Sequence, residues 1–279
     1  MFSLLGRTLV IVAHLDDEAG GCGVLLQRIS HPIVLFATDG APDDHWFWES
    51  YPSRQAYAAA RREEAIAALG VAGVSDVEFI VDDCPGCSDQ HLYRSLPDAL
   101  HAIEWAVYRH RPTALLTTAY EGGHPDHDAC SFLAFIAGQR FQLPVWEMPL
   151  YHRIADGRLV CQEFIETTGS EFVVTPSEAE RARKSRMLAC YLSQHSLSSF
   201  VVRQTEQFRR QPEYRYSQPA HEGMLNYEAW QWPIRGIEVS QAFSECLYDL
   251  SLDAQAPARF RGEPRQRPPA STAIAAPGK

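Results

Sequence analysis

Thr8-Leu9-Val10-Ile11-Val12-Ala13-His14-Leu15-Asp16-Asp17-Glu18 is the stretch whose reading decides the fold. Its apolar run, 8–12, is expected to be a parallel strand covered on both faces. The strand then delivers a histidine and three carboxylates at its C-terminal end. Ionisable groups are costly to bury unless they are paired or bind a ligand, and open α/β sheets hold their ligands at the carboxyl ends of their strands. A stretch of the same design lies about 110 residues later, where the apolar run 113–119 leads into Glu121-Gly122-Gly123-His124-Pro125-Asp126-His127-Asp128. Two strand ends tipped with His and Asp can converge on one metal ion from opposite sides of a cleft.

Outward from these two strands, helix and strand signals alternate. Helical spacing covers 19–29 after the small-residue turn Gly20-Gly21-Cys22-Gly23. A second strand at 33–37 ends at Thr38-Asp39-Gly40, a turn signal, and an acidic, Trp-rich loop follows around Asp43, Asp44, Trp46 and Trp48. Residues 54–69, rich in Ala, Glu and Arg and closed by Gly70, predict a capped amphipathic helix. A third strand is expected at 77–81, a helix at 91–110 stopped before Arg111-Pro112, and the fourth strand at 113–119. This rhythm predicts an α/β fold, a Rossmann-like, mostly parallel sheet with helices on both faces. After Pro144, strand-like pieces at 145–152, 158–165 and 171–174 predict antiparallel additions, and Thr175-Pro176 predicts a cap and a helix reaching 192. Residues 198–252 are aromatic and irregular. We expect one domain over 1–252 and a disordered tail over 253–279, where five prolines, five basic and two acidic residues leave little to bury.

Composition narrows the function. At 279 residues, with 46% hydrophobic and 22% charged side chains, the chain is long enough for one sizeable core. The net charge of -10, with no basic face in the first 250 residues, argues against nucleic acid and for a small-molecule partner. No apolar run approaches the roughly 18 residues of a membrane span, and residues 1–7 do not form a signal n-region. A cytoplasmic protein is expected, with no membrane partner; a homo-oligomer stays open. Seven scattered cysteines suggest reduced thiols. Cys84-Pro85-Gly86-Cys87 lacks the second pair a structural zinc site needs, and Gly20 to Gly23 lacks phosphate-loop spacing.

A hydrolytic zinc site needs about three His, Asp or Glu ligands, an open position for water and a nearby carboxylate to take the water's proton. His14, Asp17 and His127 can supply the ligands and Asp16 the base. The competing view makes the histidines hydrogen-bonded structural groups and the acids helix caps. Trp46, Trp48, Tyr51 and Tyr57 are candidates for a wall that stacks on a sugar ring, against an ordinary place in the core.

Ala13 to Glu18 resembles the A-H-P-D-D-E signature of the PIG-L / LmbE-like zinc-dependent N-deacetylases, and Gly123 to His127 resembles their H-P-D-H signature. Thr38-Asp39-Gly40, the Arg-x-x-Glu of Arg61 to Glu64, Leu69-Gly70, Arg111-Pro112, and Lys184 ahead of Ser193-Gln194 follow in the family's order. The resemblance covers roughly residues 7 to 195, and Glu206-x-Phe208-Arg209, His221-x-Gly223 and Tyr227-Glu228 resemble the C-terminal part of some bacterial members. One departure is Leu15, where the signature has Pro. The resemblance implies a hydrolase that removes an acyl group, most often acetyl, from an N-acetylglucosamine-type or related amide. It implies His14, Asp17 and His127 as zinc ligands, Asp16 as general base and His124 as the group that stabilises the oxyanion or protonates the leaving amine. Asp126 would orient His124, while Arg61 and Asp82, with Arg62 and Asp83 as rivals, would grip substrate hydroxyls. Two His and one carboxylate also hold Fe(II). A metal-dependent phosphoesterase and a non-catalytic sugar-binding module are the rival functions; the first would need basic residues to clamp phosphate.

Overall fold

A computed structural model describes residues 3–194 and 205–255. The apolar run of the opening stretch forms β1 (Arg7–Val12), which pairs in parallel with β2 (His31–Phe36) on one side and β4 (Ala114–Thr118) on the other. With β3 (Asp76–Phe79) and β5 (Val145–Met148) these make a parallel set, extended antiparallel by β9 (Glu206–Arg210) and β8 (Phe172–Val174) in the order β3-β2-β1-β4-β5-β9-β8. The fold is therefore the expected mostly parallel α/β sheet. Strand alternation divides its core: Leu9, Ile11 and Leu115 face α3 (Leu96–His110), α4 (Pro125–Phe141) and α7 (Gly236–Gln255), whereas Val10, Val12 and Leu116 face α1 (Asp17–Cys22), α2 (Arg54–Ala72) and α5 (Glu178–Leu188).

The chain order reverses between β1 and β4, the topological switch point where open sheets leave a crevice. Both histidine-bearing stretches leave the sheet there. The loop after β4 feeds α4, whose first thirteen residues are nearly all buried and which crosses under α7, with Phe132 stacked on Phe243 at 4.6 Å. No helix among the described residues is long and apolar enough to cross a membrane.

Several boundaries differ from expectation for identifiable reasons. The helical spacing over 19–29 splits into α1 and a 3-10 turn at Leu25–Gln27, because the carboxylate of Glu206 takes the N–H groups of Val24 and Leu25 at 2.7 and 2.9 Å. Gly70 lies inside α2, which runs on to a left-handed cap at Gly73. Helix α3 starts only at Leu96, since Pro97 is tolerated in a first turn but not further inside. The piece 145–152 is two strands: β5 is parallel to β4, and β6 (Tyr151–Arg153), after Pro149, forms a separate hairpin with β7 (Leu159–Cys161). Helix α5 is capped by Ser177, not Thr175, through a reciprocal capping box with Glu180, and ends at Leu188. Residues 253–255 of the expected tail belong to α7, and the remainder lies outside the described residues.

One buried ion pair ties the antiparallel part to α1. Lys184 donates to Glu206 at 2.8 Å and to the Gly20 carbonyl at 2.7 Å, both side chains being almost fully buried. Lys184→Met is expected to cost about 3 kcal/mol or more, the usual penalty for leaving a buried partner charge uncompensated. Denaturant unfolding of the two proteins checks this, and a loss below about 1 kcal/mol would show that Glu206 is satisfied by the backbone alone.

Candidate metal centre

Asp16 and Asp17 can share one site only if the chain turns after β1, and it does. The N–H groups of Asp16 and Asp17 both reach back to the His14 carbonyl, at 3.1 and 3.3 Å, and Asp17 Oδ2 accepts from the His14 N–H at 2.8 Å. Asp17 thereby points inward at the start of α1, while Asp16, about a third exposed, faces the cleft. At the other strand end, His124 caps α4: its Nδ1 accepts from the Asp126 N–H at 3.1 Å, and Pro125 occupies the first turn. Gly123 is required there, because a Cβ would collide with the carbonyl oxygen of Tyr151.

The two ends meet. His14 Nδ1 lies 3.1 Å from His127 Nε2 and 3.5 Å from Asp17 Oδ2, and His127 Nε2 lies 3.2 Å from Asp17 Oδ1. Ligand atoms about 2.0–2.2 Å from a tetrahedral zinc ion stand roughly 3.3 Å apart, so this spacing fits such an ion. His14 also presents Nε2 to Asp126 Oδ2 at 3.3 Å. A hydrogen donated there leaves the Nδ1 lone pair toward Asp17 and His127, the outer carboxylate arrangement usual for metal-binding histidines. The residues therefore fit a divalent metal by donor type, spacing and support.

Burial alone would keep His14 neutral, but Asp89, Asp126 and Asp17 around it raise its pKa well above the ordinary value. The surroundings favour a cation. Burial likewise opposes ionisation of Asp17, yet His127 and His14 hold it well below the usual carboxylate range. Burial raises Asp16 against the opposing pull of Arg61. His124 is depressed well below its ordinary value, first by burial and then by His14 and His127.

Arg61 and the Thr38-Asp39-Gly40 turn hold the rim. Buried Arg61 contacts Asp16 Oδ1 at 3.2 Å and donates to the carbonyls of Leu15 and Gly40. Gly40 has φ +62°, and a Cβ there would crowd Leu15 and the Arg61 guanidinium. Leu15, in place of the signature's Pro, is buried against this turn. Asp39 Oδ1 accepts from the Asp89 N–H at 3.1 Å and so places the next acid in the cleft.

Asp82 is not brought to the cleft. It is half exposed and forms a two-point ion pair with Arg62 at 2.5 and 2.7 Å, because β3 ends at Phe79 and the following 3-10 turn carries Asp82 along the surface. The acid that faces the cleft from this segment is Asp89, with Oδ1 3.4 Å from His14 Nε2 and 3.5 Å from His124 Nε2. Asp126 is likewise engaged elsewhere than expected: its carboxylate accepts from the Gln90 and Leu92 N–H groups at 2.6 and 3.0 Å and is nearer to His14 than to His124 Nδ1, 3.7 Å away. Of the aromatic wall, Trp46 and Tyr57 line the cleft, whereas Trp48 donates to the Pro42 carbonyl and Tyr51 packs edge-on to Tyr57. Sequence reading missed Asp89, Tyr151, Trp230 and Trp232, which also line it. Only the polar run Asp89-Gln90-His91 after the third strand offered a signal.

The sequence matches the family model of PIG-L, GlcNAc-PI de-N-acetylase, over residues 9–137, which spans both histidine motifs. No curated protein sequence matches the chain. Among solved structures, the zinc-inhibited form of teicoplanin deacetylase Orf2 is similar with a TM-score of 0.56 and 18% identity, covering 75% of this chain and 100% of that one. A triple mutant of a deacetylase of the teicoplanin biosynthetic pathway gives 0.54 and 23%, covering 68% and 84%. A 4-carboxy-2-hydroxymuconate hydratase from Pseudomonas putida gives 0.52 and 17%, covering 75% and 98%. At these identities the likeness is one of fold, and the fold carries more than one chemistry.

Proposed function

From the membership of residues 9–137 in the PIG-L family, we propose that this chain is a metal-dependent hydrolase that removes an acetyl group from the amine of an N-acetylglucosamine-type or related amide. The observation that carries this reading is the meeting of His14 Nδ1, Asp17 and His127 Nε2 at 3.1–3.5 Å beside an acid open to the cleft. His14, Asp17 and His127 would hold zinc, and the same donors suit Fe(II). When bound, the ion would polarise the amide carbonyl and make water a competent nucleophile near neutral pH.

Asp16 takes the proton of the attacking water, held toward the cleft by Arg61 at 3.2 Å. His124 Nδ1 is occupied by the Asp126 N–H, so a neutral ring carries its proton on Nε2. That N–H serves as a donor to the oxygen on which charge develops. Asp126 positions His14 and the backbone of residues 90–92, Arg61 holds Asp16, and Asp89 supplies a charged contact for substrate hydroxyls. The phosphoesterase alternative lacks support in the cleft, where Arg61 is the one arginine or lysine among the described lining residues.

Chelation is expected to abolish acetate release while leaving the sheet folded, since its strands have their own core. Elemental analysis, circular dichroism and amine release on one sample check this. Full activity in metal-free protein would end the metal-hydrolase reading.

A further inference from the structure

The part of the cleft beyond the metal centre is aromatic to a degree that an acetylated sugar alone does not require. The whole cleft, metal centre included, has a volume of about 530 Å³, within the range of sites that enclose drug-sized ligands. Trp46, Phe47, Tyr151, Trp230 and Trp232 line it, from the loop after β2, the β6–β7 hairpin and the segment after α6 (Asn226–Ala229). Three of these rings are continuous with the reacting groups: Trp232 stands edge-on to His124 at 5.0 Å, Tyr151 edge-on to His127 at 5.3 Å, and Trp230 joins both, 5.3 Å from Trp232 and 6.0 Å from Tyr151.

The segment that carries Trp230 and Trp232 is anchored to the loop ahead of His124. Fully buried Asn226 clasps the glycine loop ahead of His124, its N–H donating to the Gly122 carbonyl at 2.8 Å and its Nδ2 to the Gly123 carbonyl at 3.1 Å. Arg153 of the hairpin donates to Asn226 Oδ1 at 2.9 Å. Between the two tryptophans Gln231 takes φ 60°, a left-handed conformation uncommon for glutamine, and the turn lets Trp230 and Trp232 both line the cleft. Backbone held in a sparsely populated region at a ligand cleft is a mark of pre-organisation. Yet Trp46 remains 60% exposed and Trp230 42%, so large apolar faces stay open.

Charge limits what covers them. The lining carboxylates are Asp16, Asp17, Asp44 and Asp89, and the single guanidinium, Arg61, is already bonded to Asp16, Leu15 and Gly40. A phosphate or carboxylate substituent would meet net negative potential. We propose that the cleft holds a ring-binding subsite, built on Trp230 and Trp46, that takes an uncharged, flat apolar group joined to the N-acyl amine substrate. This deepens the deacetylase reading and names its substrate class: aryl-bearing, phosphate-free amides.

Binding to the metal-loaded full chain tests it without turnover. Phenyl and methyl β-glucosides probe a ring on the sugar side, and phenylacetamide and acetamide probe a ring on the acyl side. The ring is expected to strengthen binding by about 10-fold in at least one pair, the worth of good aromatic packing plus burial. Trp230→Ala and Trp46→Ala should each reduce that advantage to about 2-fold, and Tyr108→Ala, at an exposed position on α3, should leave it intact. If Trp230→Ala does not fold, exposed Trp46 still decides. Equal binding within both pairs, an advantage unaltered in the tryptophan variants, or tighter binding of glucose 1-phosphate than of methyl glucoside overturns the proposal. Acetate release from phenyl N-acetyl-β-glucosaminide is read separately: a ring advantage without release would remove the hydrolase reading and leave the subsite standing.

Discussion

Asp16→Asn is expected to keep the metal and the fold and to lose roughly 10²- to 10⁴-fold in turnover, the usual worth of a positioned general base. Asparagine retains the size of the side chain and an oxygen for Arg61, which contacts Asp16 Oδ1 at 3.2 Å and is itself anchored on the carbonyls of Leu15 and Gly40. What it cannot do is accept the water's proton. Because Asp16 is turned to the cleft and Asp17 inward, the change should leave metal content alone. Zinc by mass spectrometry and initial rates on the same sample separate the two effects. Full activity would remove this carboxylate from the mechanism, and lost zinc would make it a ligand.

Asp17→Ala is expected to lower metal affinity by about 10-fold or more, with activity falling in step. Its two oxygens stand 3.2 Å from His127 Nε2 and 3.5 Å from His14 Nδ1, so the substitution removes the one anionic donor of the three. It also frees the His14 N–H that Asp17 Oδ2 accepts at 2.8 Å, which loosens the turn after β1. Asp17→Asn separates these effects, since an amide oxygen can still accept from that N–H but brings no charge. Both variants should show weak metal binding. Restored occupancy in Asp17→Asn would assign the loss in Asp17→Ala to the turn and not to ligation.

Most of the parallel sheet was legible because β1, β2 and β4 are buried on both faces along nearly all their length and read as apolar runs, each ending in a turn or a charged motif. The convergence of His14, Asp17 and His127 followed from the same fact, since it depends on which strands are adjacent. Misplaced boundaries arose where a distant group takes over local hydrogen bonding, as Glu206 does at Val24 and Leu25. Helix α4 escaped notice although Pro125 in its first turn and acids at 126 and 128 were a usable start signal. Asp89 could not be told from Asp82 and Asp83 by counting residues, because the choice rests on where β3 stops and on the hydrogen bond from the Asp89 N–H to Asp39. Trp230 and Trp232 reach the cleft through Asn226 and the loop at Gly122 and Gly123, about 100 residues away in sequence. Local periodicity carries no information about such a contact.

The most direct test of the central claim is the release of acetate and free amine from an N-acetylglucosamine conjugate, followed by NMR with protein stripped of metal and then reloaded with zinc or Fe(II). The account predicts equal amounts of the two products, none without metal and recovery on reloading. Reloaded, folded protein that binds the conjugate and releases neither product, or stripped protein that releases both, would contradict it.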